Sequence, residues 1–247
     1  MICSASPSQN RLRRNRANAF SRHFLSLAVA ALFLFSAGMQ AQFSQPSAGT
    51  QVHDTSALHP PAGSRVAIVE FADMQCPHCA IDYPIIKTAV AKYKIPWLYH
   101  DFPLPYHTWS TQASINVRWF ALKNKALGDD YRAQVYANQT NLFYNVSLFN
   151  KFTDNFAKQH GITMPFSVDP QGKLAAEVKA DKALGERIGI DHTPTIWVVT
   201  ANSKGAPFIE VTDTSKLYQI IDQALADTAS SAKSAAKTTG AKKKSAK

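Results

Sequence analysis

Hydrophobic patterning divides the chain into a strand-rich frame interrupted by a long helical block. RVAIVEFA (65–72) is an unbroken apolar, β-branched run of the kind carried by a buried strand. A helix is expected to begin near Cys76. Pro77 suits a first helical position, where its missing N–H is not needed. Ile81, Ile85 and Ala89 then recur on one face at helical spacing, with Ile86, Val90 and Tyr93 beside it. Pro84 falls inside this pattern and is expected to kink the helix. IPWLYHDFPL (95–104) reads as a second strand, and a strand–helix–strand unit of this kind has a right-handed crossover and parallel strands.

From about Thr108 to Gly189 the pattern is helical. Its packing stripes are Ala113, Val117 and Phe120 with Leu122; Leu148, Phe149, Phe152 and Phe156; and Leu174, Val178 and Leu184. They read as core faces. Strand character returns with TIWVVT (195–200). NSKG (202–205) is a hairpin turn into APFIEV (206–211), and a last helix is expected from about Asp213 to Ala226. The order implies a small α/β sheet with an all-helical insertion at about 108–189.

The ends read differently. Arginines 11, 13, 14, 16 and 22 precede an apolar run from Phe24 to about Met39, shorter than the ~20 residues of a confident membrane span. Basic residues, an apolar stretch and small residues in that order describe a secretory signal. Residues 1–41 are assigned to it, with cleavage after Ala41 and Gly38 or Ala37 as alternatives; retention as a membrane anchor is the competing outcome. Arg13-Arg14 lies far from the apolar run and reads as ordinary basic charge. Residues 42–64 are polar, contain Pro46, Pro60 and Pro61, and are expected to form a flexible linker. Residues 228–247, rich in Lys, Ala, Ser and Thr, are expected to be disordered.

These ends also account for the net charge of +10. They hold five and six of the 27 basic residues and none of the 17 acidic ones, leaving 16 against 17 between them. The body is close to neutral, which argues against a nucleic-acid-binding core. Removal of the signal takes Cys3 with it and leaves Cys76 and Cys79 as the mature chain's cysteines. Export places them in an oxidising compartment. A loop this short makes a poor structural staple, because it constrains little of the unfolded chain. Metal binding by Cys76, His78 and Cys79 is a second reading, but structural zinc takes four ligands and the chain offers no second pair at suitable spacing. A redox-inactive binding module is a third. His100, His107 and His160 are scattered and read as surface or satisfied core histidines, so no metal site is expected.

A strand entering Cys-Pro-His-Cys at a helix start, a helical block, Thr193-Pro194 ahead of a later strand and a closing ββα unit together resemble a thioredoxin-like fold of the DsbA family, over roughly residues 64–227. The segment DFPLPYH (101–107) is similar to one that leads from the second strand into the family's insertion. The resemblance implies an extracytoplasmic, periplasmic-type thiol–disulfide oxidoreductase, with the Cys76–Cys79 pair as its redox centre and no other cofactor. Cys76 would be the attacking cysteine, its thiolate favoured by the helix N-terminus, with Pro77 and His78 tuning it. Cys79 would be the buried, resolving partner.

The family's buried acid falls at Glu70, as proton acceptor for the inner cysteine; its competing reading is an edge residue paired with a lysine. Asp73 is expected to be solvated. Pro194 would be the cis-proline against the disulfide, and the backbone of Thr193 an edge for a substrate chain. His192, where relatives often have Gly, either adds a cation near the thiolate or faces solvent. Oxidase-type members often carry Val where this chain has Thr193, so reductase or isomerase chemistry stays open beside oxidative folding. The partners that the resemblance implies are cysteine-containing exported proteins and a membrane-bound redox partner; the implied oligomeric state is a monomer.

Overall fold

Seven consecutive buried residues, Val66–Ala72, form the first strand, β1, at the centre of the sheet. The chain continues through α1 (Pro77–Tyr93) and β2 (Trp97–Asp101) into four helices: α2 (Ser110–Lys123), α3 (Lys125–Leu142), α4 (Val146–Gln159) and α5 (Lys173–Ile188). It returns through β3 (Thr195–Thr200) and β4 (Phe208–Glu210), and a 3₁₀ turn (Thr214–Lys216) leads into a last helix, α6, over 217–229. This computed structural model describes residues 49–142, 145–201 and 207–229. The assignments made to 1–48, to the 202–205 turn and to 230–247 lie outside them.

The sheet order is β2-β1-β3-β4, with β1 parallel to β2 and antiparallel to β3, which is antiparallel to β4. Strand alternation divides β1 between two cores. Val66 and Ile68 join Ile86 and Ala89 of α1, Ile196 and Val198 of β3, and Leu217 and Ile221 of α6. Ala67, Val69 and Phe71 face the other way, onto Trp197, Val199, Phe102 and Ile188. Both faces are covered, which is why β1 is apolar without interruption apart from Glu70.

A third core joins the insertion to the N-terminal end of α1. Cys79 and Tyr83 pack with Met74, Trp109, Val135, Tyr136 and Phe149. Aromatic rings carry it: Trp109 stacks on Phe149 at 4.8 Å, and Phe120, Tyr131 and Phe156 form a triad with centroids 4.8–5.1 Å apart. Arg118 of α2 ties β2 to α5, reaching Asp101 at 2.7 Å and Asp181 at 2.6 Å.

Several expectations are corrected. Residues 49–64 do not run free as a linker. Val52, Ala57 and Leu58 pack on the Val69–Trp197 core, His53 N–H donates to Ile188 O at 2.7 Å, and both the N–H and hydroxyl of Thr50 donate to the Glu210 carboxylate at 2.8 Å. Proline content identified the segment as non-helical but could not register its few apolar anchors. On α1 the buried stripe is Cys79, Tyr83, Ile86 and Ala89, while Ile81 is 62 % exposed. The helix is covered by α3 on one side and the sheet on the other, so its inward face is turned from the one that isoleucine spacing suggested. Leu122 and Leu148 are likewise exposed, at 74 % and 44 %. β2 ends at Asp101, short of residue 104, because Pro103 and Pro105 cannot donate to a ladder. Helix α1 runs through Pro84 without a break.

Gly189 caps α5 with φ +106°, a conformation side chains rarely adopt. A Cβ there would also lie 2.4 Å from Gln51 O, so the same glycine admits the 49–64 segment. Gly189→Ala should destabilise the protein by about 2 kcal/mol or more, from left-handed strain and overpacking together. The segment should also become protease-sensitive before global unfolding. Urea titration and limited proteolysis read the two effects; a stable, protease-resistant variant would contradict the packing described.

Candidate active site

Four elements meet at the C-terminal end of β1. Cys76 is the N-cap of α1, with extended backbone (φ −77°, ψ 122°), and Pro77 opens the helix. The cysteine is 4 % exposed, and its sulfur lies 3.2 Å from Thr193 O, on the loop entering β3. The Thr193-Pro194 peptide is cis. Cys79, one helical turn on, is fully buried, and its sulfur accepts from Asp73 N–H at 3.5 Å. Both cysteines are free thiols.

The two sulfurs are driven apart in acidity. Cys76 is lowered from an ordinary 9.0 to about 6, first by a hydrogen bond from the Cys79 thiol. Burial opposes the shift; the Thr193 side chain and the backbone N–H groups of Cys79 and His78 add to it. In the thiol form Cys76 Sγ–H donates to Thr193 O; in the thiolate form the Thr193 hydroxyl, otherwise buried without a partner, becomes a donor to the anion. Cys79 is raised well above its ordinary value by burial, by donating to Cys76, and by the charges of Cys76 and Glu70. The helix start thus supplies oriented donors to one sulfur and apolar surroundings to the other.

Strand parity turns Glu70 toward α1, and it is 1 % exposed. Trp97 Nε1 donates to its Oε2 at 2.9 Å, while Oε1 is buried without a partner. Burial pushes its carboxyl from 4.5 up to about 8; Trp97 and Arg132 oppose the rise, and Asp82 and Cys76 add to it. The edge position paired with a lysine is not what the structure shows.

Other site residues fall less as expected. The His78 side chain is exposed, and it is this residue's backbone N–H that faces the Cys76 thiolate. His192 is also turned outward, 54 % exposed by side chain, with Nδ1 2.6 Å from Asp191 Oδ1. Asp73 is not solvated but fully buried. Its carboxylate accepts from Gln75 N–H and Leu104 N–H at 2.6 Å each and bonds His107 Nδ1 at 2.8 Å. It pins the loop before Cys76 to the loop leaving β2, and so holds the N–H that meets Cys79. An aspartate two residues before a bonded N–H is a turn signature that the sequence does contain. His100 and His160 pair with Asp181 at 2.9 Å and Asp130 at 3.6 Å. Among the described residues no group of three or more His, Cys, Asp or Glu side chains converges as a metal site would require.

One face of α3 was not legible beforehand. Gln139 Nε2 donates to Met74 O and Cys76 O at 3.0 Å each. Tyr136 bonds Tyr99 OH at 2.8 Å and reaches Asp73 O at 3.4 Å. Arg132 lies over the Tyr99 ring, its Cζ 3.9 Å from the centroid. These residues recur at helical spacing, but only the docking of α3 shows what they face.

Known proteins share this fold. A family model described as thioredoxin matches residues 62–223. A search of curated proteins gave no match. Among solved structures, a variant of Wolbachia pipientis α-DsbA1 superposes with a TM-score of 0.57 at 15 % identity, covering 70 % of this chain and 92 % of that one. The thiol-disulfide exchange protein α-DsbA2 from the same organism gives 0.52 at 19 % identity, covering 67 % and 84 %. Oxidised BdbD from Bacillus subtilis gives 0.52 at 18 %, covering 72 % and 98 %. At these identities the likeness is one of fold.

The altered acidities make stability depend on pH in opposite senses. Glu70, raised from 4.5 to about 8, favours the folded state fully below 4.5, and the contribution is lost as pH rises through 8. Cys76, lowered from 9.0 to about 6, adds stability above 9.0 that is lost as pH falls through 6. The difference in unfolding free energy between reduced protein and its Glu70→Gln variant should therefore turn against the wild type with rising pH, by up to ~1.4 kcal/mol for each pH unit between these limits. Urea melts at pH 5 and pH 8 check it; a pH-independent difference would contradict a buried, ionising Glu70. Alkylation of the reduced protein should modify Cys76 with a midpoint near 6 and leave Cys79 largely unreacted.

Proposed function

The chain belongs to the thioredoxin family and has the DsbA-type fold with its helical insertion, and from that premise we propose that it is an exported protein dithiol–disulfide oxidoreductase that oxidises cysteine pairs in folding proteins. The observation that carries the reading is the split between the sulfurs: Cys76 lowered to about 6 beside Thr193-Pro194, Cys79 buried and raised. A thiol of lowered pKa is more fully ionised for attack and departs more readily as a leaving group in exchange.

The oxidising half-reaction uses only groups in the site. A substrate thiolate attacks Cys76 Sγ, a substrate–Cys76 bond forms, and the Cys76–Cys79 bond breaks. Cys79 leaves as a thiolate and takes a proton from the Glu70 carboxyl, whose Oε1 has no competing partner. A second substrate thiolate then attacks the substrate sulfur of the mixed disulfide, releasing Cys76 as the stabilised thiolate. Two electrons pass from the substrate thiols to the protein pair. A membrane-bound partner of like chemistry would reoxidise it.

Stabilising the Cys76 thiolate favours the reduced protein and hence oxidation of others. At pH 7, moving that thiol from 9.0 to about 6 is worth ~1.4 kcal/mol, or ~30 mV. Thr193 ahead of Pro194 is the feature that favours the opposite direction, reduction or isomerisation. The basic and apolar segment through Met39 supports export to the periplasm or an equivalent compartment. No helix among the described residues is long and apolar enough to cross a membrane.

Equilibration of the protein with glutathione decides the direction. The expected result is a reduction potential well above that of a reducing thioredoxin, with Cys79→Ser accumulating a mixed disulfide at Cys76 and Cys76→Ser forming none. A strongly reducing potential would overturn the oxidase reading while leaving exchange intact.

A further inference from the structure

The helical insertion contributes a buried cation to the wall of the redox site. Arg132 projects from α3 between the insertion and the sheet, with its side chain 15 % exposed. Its nearest carboxylate, Asp129 on the same helix, is 3.8 Å away and 44 % exposed, and Arg132 Nε is buried without a partner. A guanidinium held this way loses hydration in return for one long ion pair and the charge of Asp101, so local pairing offsets only part of its burial.

Its position points to Glu70. Arg132 Cζ lies 3.9 Å above the ring of Tyr99, and Tyr99 is the residue paired with Glu70 across the parallel β1–β2 ladder. Neighbouring strands are ~4.8 Å apart, so the cation stands over the line adjacent to the carboxylate. On that line Trp97, two residues before Tyr99 and on the same face, holds Glu70 Oε2 and leaves Oε1 open. The rings of Tyr99, Trp97, Tyr83 and Tyr136 pack against one another there and Glu70 is buried, so the charge acts through a medium that screens it weakly.

We infer that Arg132 is a positioning residue for disulfide exchange, holding part of the Glu70 population ionised so that it can take the proton of Cys79. The inference rests on the exchange chemistry proposed above. In the direction of substrate reduction, the Cys79 S–H bond breaks and an O–H bond forms at Glu70. The Cys79 thiolate then attacks the Cys76 sulfur of a mixed disulfide, the Cys76–Cys79 bond forms, and the bound partner leaves as a thiolate carrying the electron pair. The other groups acting on this carboxylate are Cys76, Cys79, Asp82 and Tyr83 from α1, Tyr99 from β2 and Tyr136 from α3. Each of them becomes neutral or negative on titration, and Arg132 is the cation of the set. Its attraction opposes the burial that protonates Glu70.

The test compares wild type, Arg132→Met and Arg132→Lys as full-length reduced protein. The ionisation of Glu70 is followed by carbon NMR of labelled glutamate carboxyls, assigned with Glu70→Gln. Arg132→Met should raise the pH midpoint of Glu70 by about 1, and Arg132→Lys should bring it back toward wild type. In stopped-flow with an aromatic disulfide, the first thiolate released reports attack by Cys76 and the second reports attack by Cys79. Below the midpoint the second phase should slow about tenfold in Arg132→Met, with the first unchanged, because a midpoint higher by about 1 leaves about one tenth as much Glu70 ionised at a given pH.

An unmoved Glu70 midpoint, or a lysine variant that behaves as the methionine one does, overturns the inference while the second phase shows exchange intact. Absence of a second phase in wild type overturns the exchange chemistry itself, whatever the midpoint does. Arg132→Gln makes the same comparison if the methionine variant does not fold.

Discussion

The hydrogen bond between two sulfurs of unequal acidity is the interaction around which the site is built. The Cys79 thiol donates to the Cys76 thiolate, and this bond is the largest influence holding Cys76 near 6. It requires unequal surroundings: Cys76 where α1 begins and free N–H groups point, Cys79 one turn inside, where desolvation keeps it protonated. A motif with one residue fewer between the cysteines would not separate cap from first turn in this way.

That inequality demands a lid over the helix start, and the insertion provides it. Cys79 and Tyr83 are buried because α3 and the Trp109–Phe149 stack close over them. Closing a polar helix end also strands backbone groups, which must find partners. Gln139 answers for the carbonyls of Met74 and Cys76, and Asp73 for the N–H groups of Gln75 and Leu104. The polar residues around the sulfurs are thus consequences of burying them.

The legible part of this protein was what chemistry and local spacing define alone. Cys76, Pro77 and Cys79 at a strand-to-helix junction, with Thr193-Pro194 far along the chain, were enough to identify the fold. The family resemblance placed a buried acid at Glu70, and strand parity in the folded chain turns it inward. Asp73 was misread because charge next to a surface motif suggests exposure, whereas its three donors come from loops that only the folded chain brings together. The inward face of α1 was misjudged for the same reason: Ile81 is the stronger apolar signal, but Tyr83 faces the partner helix. Arg132, Tyr136 and Gln139 carry no signal at all until α3 is docked. Residues 49–64 show the limit of composition, since a few anchors such as Leu58 and Thr50 outweigh many prolines and polar groups.

The two hydrogen bonds from Gln139 bear on how modular such a protein is. Cys-Pro-His-Cys looks portable, four residues that any thioredoxin-type sheet might host. Here the carbonyl of Cys76 is held by a side chain 63 positions downstream, in the block that interrupts the fold. Grafted onto a scaffold without that block, the tetrapeptide would keep its thiols but lose the ligature on its own backbone. Insertion and motif are therefore one mechanical unit, in which the block that covers the helix start also fastens its backbone.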